Sequence, residues 1–198
     1  MTSSPNPTAI VLAGINGAGK TTASRWLLAK TLKVTTFVNA DVIAQGLSGF
    51  DPDAAAIRAG RVMLEQLHAL AAQRADFAFE TTLAARSHAG WFDSLRESGY
   101  QVHLFYLWLE SVEIAIARVA ARVNAGGHHV ADATIRRRFG RSLRNLFELY
   151  MPVVTGWNVY DNSAEGRPRL VAKGKRGRPE VVFDPELWST IRRRADDG

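Results

Sequence analysis

Two hydrophobic rhythms alternate along the chain. Short apolar or β-branched runs at residues 10–13, 35–38, 77–79, 102–109 and 157–160 read as strands. Between them, apolar residues recur at helical spacing. Residues 19 to about 32 put Ala23, Trp26, Leu27 and Thr31 on one face. From Asp51-Pro52, an N-cap with proline at the first helical position, to about Arg74, the inward set is Ile57, Met63, Leu64, Leu67 and Leu70. A third helix starts at a capping Ser87 and stops at Gly99. The run 102–109 is nearly continuous and aromatic, as in a strand covered on both faces. Residues 111–123 and 133–150 are helical on either side of Gly126-Gly127, the second with Ile135, Phe139, Leu143, Leu146 and Tyr150 inward. Strands alternating with helices predict an α/β fold, a doubly wound parallel sheet, with the hinged helix pair as a lid. The tail breaks the rhythm. Residues 170–172 and 181–183 flank KGKRGRPE, which reads as a hairpin with a basic turn, and Asp184-Pro185 opens a helix ending in Arg192, Arg193 and Arg194. The expected organisation is one domain over 1–198, with a core at about 8–163 and an accessory hairpin and helix at about 167–198.

Composition narrows the class. At 198 residues and 46% hydrophobic content the chain can bury one full core. No run of 18 apolar residues exists, so no membrane span is expected. The polar start lacks a basic region or a long apolar stretch, so no signal peptide is expected. Without cysteine there are no disulfides or thiolate zinc sites, and a cytoplasmic location is the default. The charge of +6 is local: residues 118–144 hold seven Arg and one Asp, and residues 167–198 nine basic and five acidic groups. A short arginine cluster suits a compact polyanion such as triphosphate better than a long nucleic acid.

The chemistry begins at Gly14-Ile15-Asn16-Gly17-Ala18-Gly19-Lys20-Thr21, the pattern GxxxxGK[ST] between a strand and a helix. Glycines there let backbone amides curl around phosphate oxygens, and the helix start adds its positive dipole end. Gly14, Asn16, Gly17, Ala18, Gly19, Lys20, Thr21 and Thr22 are therefore the predicted ATP contacts, with Lys20 on the β- and γ-phosphates and the Thr21 hydroxyl on Mg²⁺. Asp41 follows the second strand, where ligands sit in open α/β sheets. It reads either as the base for an attacking hydroxyl or as a helix cap. Glu80 ends FAFE, apolar residues closing on an acid, and is placed to hold Mg²⁺ through water or to orient a substrate; Thr81, Thr82 and Arg86 are candidate substrate contacts, although Thr82 also fits a plain strand end. In the lid, Arg122 and Arg137 are candidates for the transferring phosphoryl group and Arg136 for the nucleotide, the choice between 136 and 137 being open. Arg138 and Arg144 read as solvated.

GINGAGKTT, FVNAD, FAFETTLAAR, RVAARVNAGGHHV with IRRR, and NLFELY before YDNS together resemble the zeta-toxin-like family of P-loop kinases, over roughly residues 9–163. The resemblance implies transfer of the ATP γ-phosphate to a hydroxyl of a UDP-N-acetyl amino sugar, and a small helical antitoxin as partner. It matches Lys20 and Thr21 to the phosphate and magnesium residues, Asp41 to the base, Glu80 and Thr81 to the sugar-nucleotide motif, and Arg122 with Arg136 or Arg137 to the lid arginines. The basic tail lies outside it. The rival readings are a small-metabolite or nucleic-acid-end kinase on the same scaffold and a non-catalytic ATP-binding switch or partner module.

Overall fold

The computed structural model describes residues 6–26, 34, 36–47 and 52–197. The predicted helix beyond residue 26, the strand start at Thr35 and the Asp51 cap lie outside these residues.

Among the described residues, strands β1 (Thr8–Ala13), β2 (Phe37–Val38), β3 (Phe77–Thr81), β4 (Gln101–Trp108), β5 (Gly156–Asp161), β6 (Arg169–Lys175) and β7 (Val181–Val182) form one sheet in the order β2-β3-β1-β4-β5-β6-β7. The first five are parallel: Val11 lies opposite Phe79 on one side and Leu104 on the other. Helices α1 (Lys20–Trp26), α2 (Ala40–Leu47), α3 (Pro52–Ala72), α4 (His88–Glu97), α5 (Val112–Asn124) and α6 (Asp132–Asn145) connect or flank them, and α7 (Pro185–Asp197) closes the chain.

The central strands explain their own composition. Leu104, Phe105, Tyr106, Leu107 and Trp108 are all buried because helices cover both sheet faces. One face packs Phe77, Phe79, Leu104 and Tyr106 against Met63 and Leu67 of α3, Phe92 of α4 and Leu143 of α6. On the other, Leu107 meets Ala115 and Val119 of α5 together with Ile135 of α6. Burying each large side chain contributes about 1.5–3 kcal/mol.

The tail differs from its expected role. It is continuous with the sheet: β6 pairs antiparallel with β5, and β7 antiparallel with β6. Val171, Trp188, Ile191 and Ala195 belong to the main core cluster. Trp157 of β5 stacks on Trp188 of α7, with centroids 5.6 Å apart. Gly174 makes room for that indole, since a Cβ there would lie 2.4 Å from it. Parallel pairing gives way to antiparallel because a short connection returns the chain beside β5.

Three local expectations also change. Ile57 and Leu64 face outward, 75% and 38% exposed, while Met63 and Leu67 point into the core. The helix 133–150 is α-helical to Asn145 and then makes a π-helical turn, Leu146–Tyr150. Ser87 precedes α4 but does not cap it: its backbone is already helical, φ −63° and ψ −24°, so its hydroxyl makes no capping bond. Gly99 does end that helix, at φ +93°.

Candidate active site

The P-loop joins β1 to α1. Gly17 and Gly19 have φ of +80° and +85°, which a side chain rarely adopts. Close approach also excludes a Cβ at both positions: it would lie 2.5 Å from the Ala115 carbonyl oxygen or 2.5 Å from the Asn162 amide nitrogen. Asn162, in the loop after β5, donates to the Ala18 carbonyl at 2.8 Å. Arg118 of α5 holds that loop in turn, donating to the Asn162 and Ser163 carbonyls at 2.8 and 3.1 Å.

Lys20 is half-buried, and Nζ donates to the Gly14 and Ile15 carbonyls at 2.8 and 3.0 Å. Burial lowers its pKa; Glu80 and Asp41 oppose this, and Arg122 and Arg138 add to it. Those four charges converge on the lysine from four elements. Glu80 sits at the end of β3, its Oε2 accepting from the Thr21 hydroxyl at 3.3 Å while Oε1 is buried without a partner. Burial is also the main reason its pKa is raised. An orphaned carboxylate oxygen beside a threonine hydroxyl fits a hard cation that completes its shell with phosphate and water oxygens. No group of three or more His, Asp or Glu forms a metal cage among the described residues.

Asn39 takes the cap position that Asp41 was weighed for. Its Oδ1 accepts from the Asp41 amide at 2.8 Å and the Val42 amide at 3.4 Å. The Asp41 carboxylate is thereby free of capping and lines the cleft from the first turn of α2.

The cleft has a volume of about 770 Å³. Of the predicted residues, Asn16, Gly17, Gly19, Lys20, Thr21, Thr22, Asp41, Glu80, Thr81, Thr82 and Arg122 line it. Gly14 and Ala18 support the loop through their carbonyls instead. Arg122 donates to the His128 carbonyl at 2.7 Å, with its buried Nε unpaired. The expected lid register is off by one or two positions. Arg136 turns to Glu113 of α5, at 2.9 Å, and Arg137 is exposed, neither lining the cleft. Arg138 does, donating to Asn16 Oδ1 at 2.8 Å. The reason is helical geometry: Arg138 lies three residues after the buried Ile135 and four before the buried Ser142, so it shares their face. Arg86 is exposed and outside the cleft wall.

Sequence reasoning missed other wall residues. The outward Ile57 and Leu64 line the cleft with Arg61 and His88. His88 stacks on Phe92 with planes 11° apart, and burial, aided by His68, lowers its pKa. The Thr81 and Thr82 hydroxyls accept the Leu83 and Ala84 amides at 3.2 and 3.4 Å, so each keeps its own proton to donate. The basic tail takes no part. Lys173, Lys175 and Arg178 line a separate hollow of about 320 Å³ with His103 and Gly156, beside the early part of β4 and away from the P-loop end of the sheet.

A glycine loop closing on a half-buried lysine, at the carboxyl end of a doubly wound sheet, defines a P-loop protein of the kinase type. The Zeta toxin family model matches residues 1–150, and the chain belongs to that family. An uncharacterized protein of Haemophilus influenzae is 34% identical over 131 residues, 66% of this chain and 91% of its own. Among solved structures, the AvrRxo1-ORF1:-ORF2 complex with ATP superposes with a TM-score of 0.74 at 18% identity over 94% of this chain, which spans 63% of the AvrRxo1 chain's length. The PezAT chromosomal toxin-antitoxin system of Streptococcus pneumoniae superposes with a TM-score of 0.64 at 18% identity, covering 99% of this chain and 88% of the other.

Proposed function

We propose that the protein is an ATP- and Mg²⁺-dependent kinase that moves the γ-phosphate to a hydroxyl of a small substrate, with a UDP-N-acetyl amino sugar as the leading acceptor. The observation that carries this is the meeting of Lys20, Asp41, Glu80, Arg122 and Arg138 at one cleft. A nucleotide switch needs the P-loop and lysine but has no use for a carboxylate free of capping on the acceptor side.

In this reading Lys20 and the P-loop amides hold the β- and γ-phosphates. Mg²⁺, held by the Thr21 hydroxyl and Glu80, would offset charge on the phosphate oxygens. Asp41 takes the acceptor's proton while the acceptor oxygen bonds to the γ-phosphorus. The bond from that phosphorus to the β–γ bridging oxygen breaks, and ADP leaves. Arg122 and Arg138 neutralise the phosphoryl oxygens in transit. Thr81, Thr82 and His88 face the acceptor, and the apolar wall of Ile57 and Leu64 with Arg61 suits a ligand that is part ring, part anion. A small antitoxin, as in the PezAT system, is the proposed protein partner, and the cytoplasm the proposed location.

The test is incubation with γ-labelled ATP, Mg²⁺ and a panel of nucleotide sugars, nucleosides, small polyols and oligonucleotides. Label on a UDP-N-acetyl amino sugar supports the acceptor assignment. Label on another small hydroxyl compound keeps the kinase and replaces that acceptor. Nucleotide binding with no transfer to any of them favours the switch.

A further inference from the structure

The loop from Thr82 to Ser87 carries two cleft residues at its ends, yet its own sequence gives it no regular structure. Leu83 within it is fully buried at φ +54°, a conformation that a leucine holds only when its surroundings over-determine it. The side chains that donate to the loop's carbonyls come from α6 and the π-helical turn that continues it. Ser142 of α6 donates to the Thr82 carbonyl at 2.5 Å and meets the Tyr106 hydroxyl at 2.9 Å. Asn145 donates to the Leu83 carbonyl at 2.8 Å. Tyr150, on the π-helical turn, donates to the Ala85 carbonyl. Burial pushes the Tyr150 pKa up to about 12, so it stays a donor at neutral pH.

Each donor is buried, and the buried Leu83 carbonyl would be a costly unpaired acceptor without Asn145. The π turn has a geometric role here. It inserts one extra residue per turn, which rotates Tyr150 relative to an unbroken α-helix and aligns it with Ser142 and Asn145. One turn before Ser142, the same helix presents Arg138 to Asn16 of the P-loop.

We infer that Ser142, Asn145 and Tyr150 are positioning residues: they fix the Thr82–Ser87 loop in its acceptor-facing shape and tie that shape to the position of Arg138, so that phosphate engagement at one end of α6 and acceptor geometry at the other move as one body. The inference rests on the kinase reading for its catalytic consequence and on the hydrogen bonds alone for the loop. It also assigns the π turn a function, since a regular α-helix would lose the third contact.

Tyr150→Phe and Asn145→Ala test it, each leaving the nucleotide residues untouched. Two readouts are taken on each preparation: hydrogen exchange at the Leu83 and Ala84 amides, with and without a non-hydrolysable ATP analogue and Mg²⁺, and transfer with UDP-N-acetylglucosamine as the probe acceptor. The wild-type loop should gain protection when the analogue binds. In the variants, exchange at those amides should speed about tenfold and the analogue-induced protection should vanish, the expected scale for losing one hydrogen bond that holds the loop. The analogue's Kd should stay within about twofold, and the acceptor KM should rise more than ATP's. If wild type transfers nothing to this acceptor, the acceptor assignment fails and the exchange result still decides the loop. Unchanged loop exchange in both variants overturns the inference. So does a parallel loss of stability, analogue affinity and loop protection, which is what general unfolding gives.

Discussion

Arg138→Ala isolates the lid residue that reaches the P-loop. The side chain is partly buried, and burial presses its pKa down; Arg137 adds to this, while Asp41 opposes it. Its bond to Asn16 Oδ1, at 2.8 Å, places the guanidinium over the phosphate loop. A hydrogen bond from a charged donor contributes about 1.5–3 kcal/mol, roughly 10- to 100-fold in a binding constant. An arginine on the transferring phosphoryl group contributes more, about 10³–10⁵ in rate. Arg138 is only partly shielded from solvent, which places it near the lower end of that range. Arg138→Ala should therefore weaken ATP binding by no more than about 100-fold and slow transfer by about 10³, with little change in thermal stability. Arg136→Ala and Arg137→Ala are the controls. The first breaks an exposed pair with Glu113 and the second removes an exposed side chain, so both should transfer at close to the normal rate. The assay is steady-state transfer with ATP affinity by calorimetry. Near-normal transfer in Arg138→Ala with a large loss in Arg136→Ala or Arg137→Ala refutes the assignment and restores the register read from the sequence.

Two further outcomes follow from packing and titration. Cutting the chain after Ser163 removes Val171, Trp188 and Ile191 from the main core, at about 1.5–3 kcal/mol each, comparable to the roughly 5–15 kcal/mol that holds a whole domain folded. The truncated chain should show no cooperative thermal transition; a sharp transition raised by an ATP analogue contradicts this. His88 and His103 both have pKa values lowered, chiefly by burial, so the unfolded chain binds more protons than the folded one as pH falls. Their contribution is fully present above about pH 6.5 and is lost as pH drops through and below that value. Urea midpoints at pH 7.5 and 5.5 should show this loss, and His88→Phe should reduce the difference; a higher midpoint at the lower pH contradicts the sign.

What was legible in the sequence was local or contiguous. The P-loop needs eight consecutive residues, and Asp41 and Glu80 were found because each follows an apolar strand at the end where such sheets bind ligands. The arginine register was not legible in the same way. Arg136, Arg137 and Arg138 are consecutive, and choosing among them requires the helix face that meets the P-loop. The buried stripe through Ile135 and Ser142 carried that signal, but Ser142 does not look apolar. Periodicity likewise marked Ile57 and Leu64 as an apolar face without telling a core from a cleft wall. The tail was misjudged because its apolar runs, 170–172 and 181–183, are short and set among basic residues, while its attachment to β5 is a tertiary event. Asn145 and Tyr150 act on carbonyls some 60 residues earlier, a relation no local pattern encodes.

Asp41 is the proposed base of the phosphoryl transfer, and Asp41→Asn tests that role with ATP affinity and turnover measured on one preparation. Because Asn39 provides the helix cap, the substitution leaves α2 intact. It removes a negative charge from the cleft and the ability to take a proton. ATP affinity should hold or improve slightly, while transfer falls by about 10²–10⁴, the usual contribution of a positioned base. Full turnover with unchanged ATP affinity rules out Asp41 as the base and passes the role to Glu80.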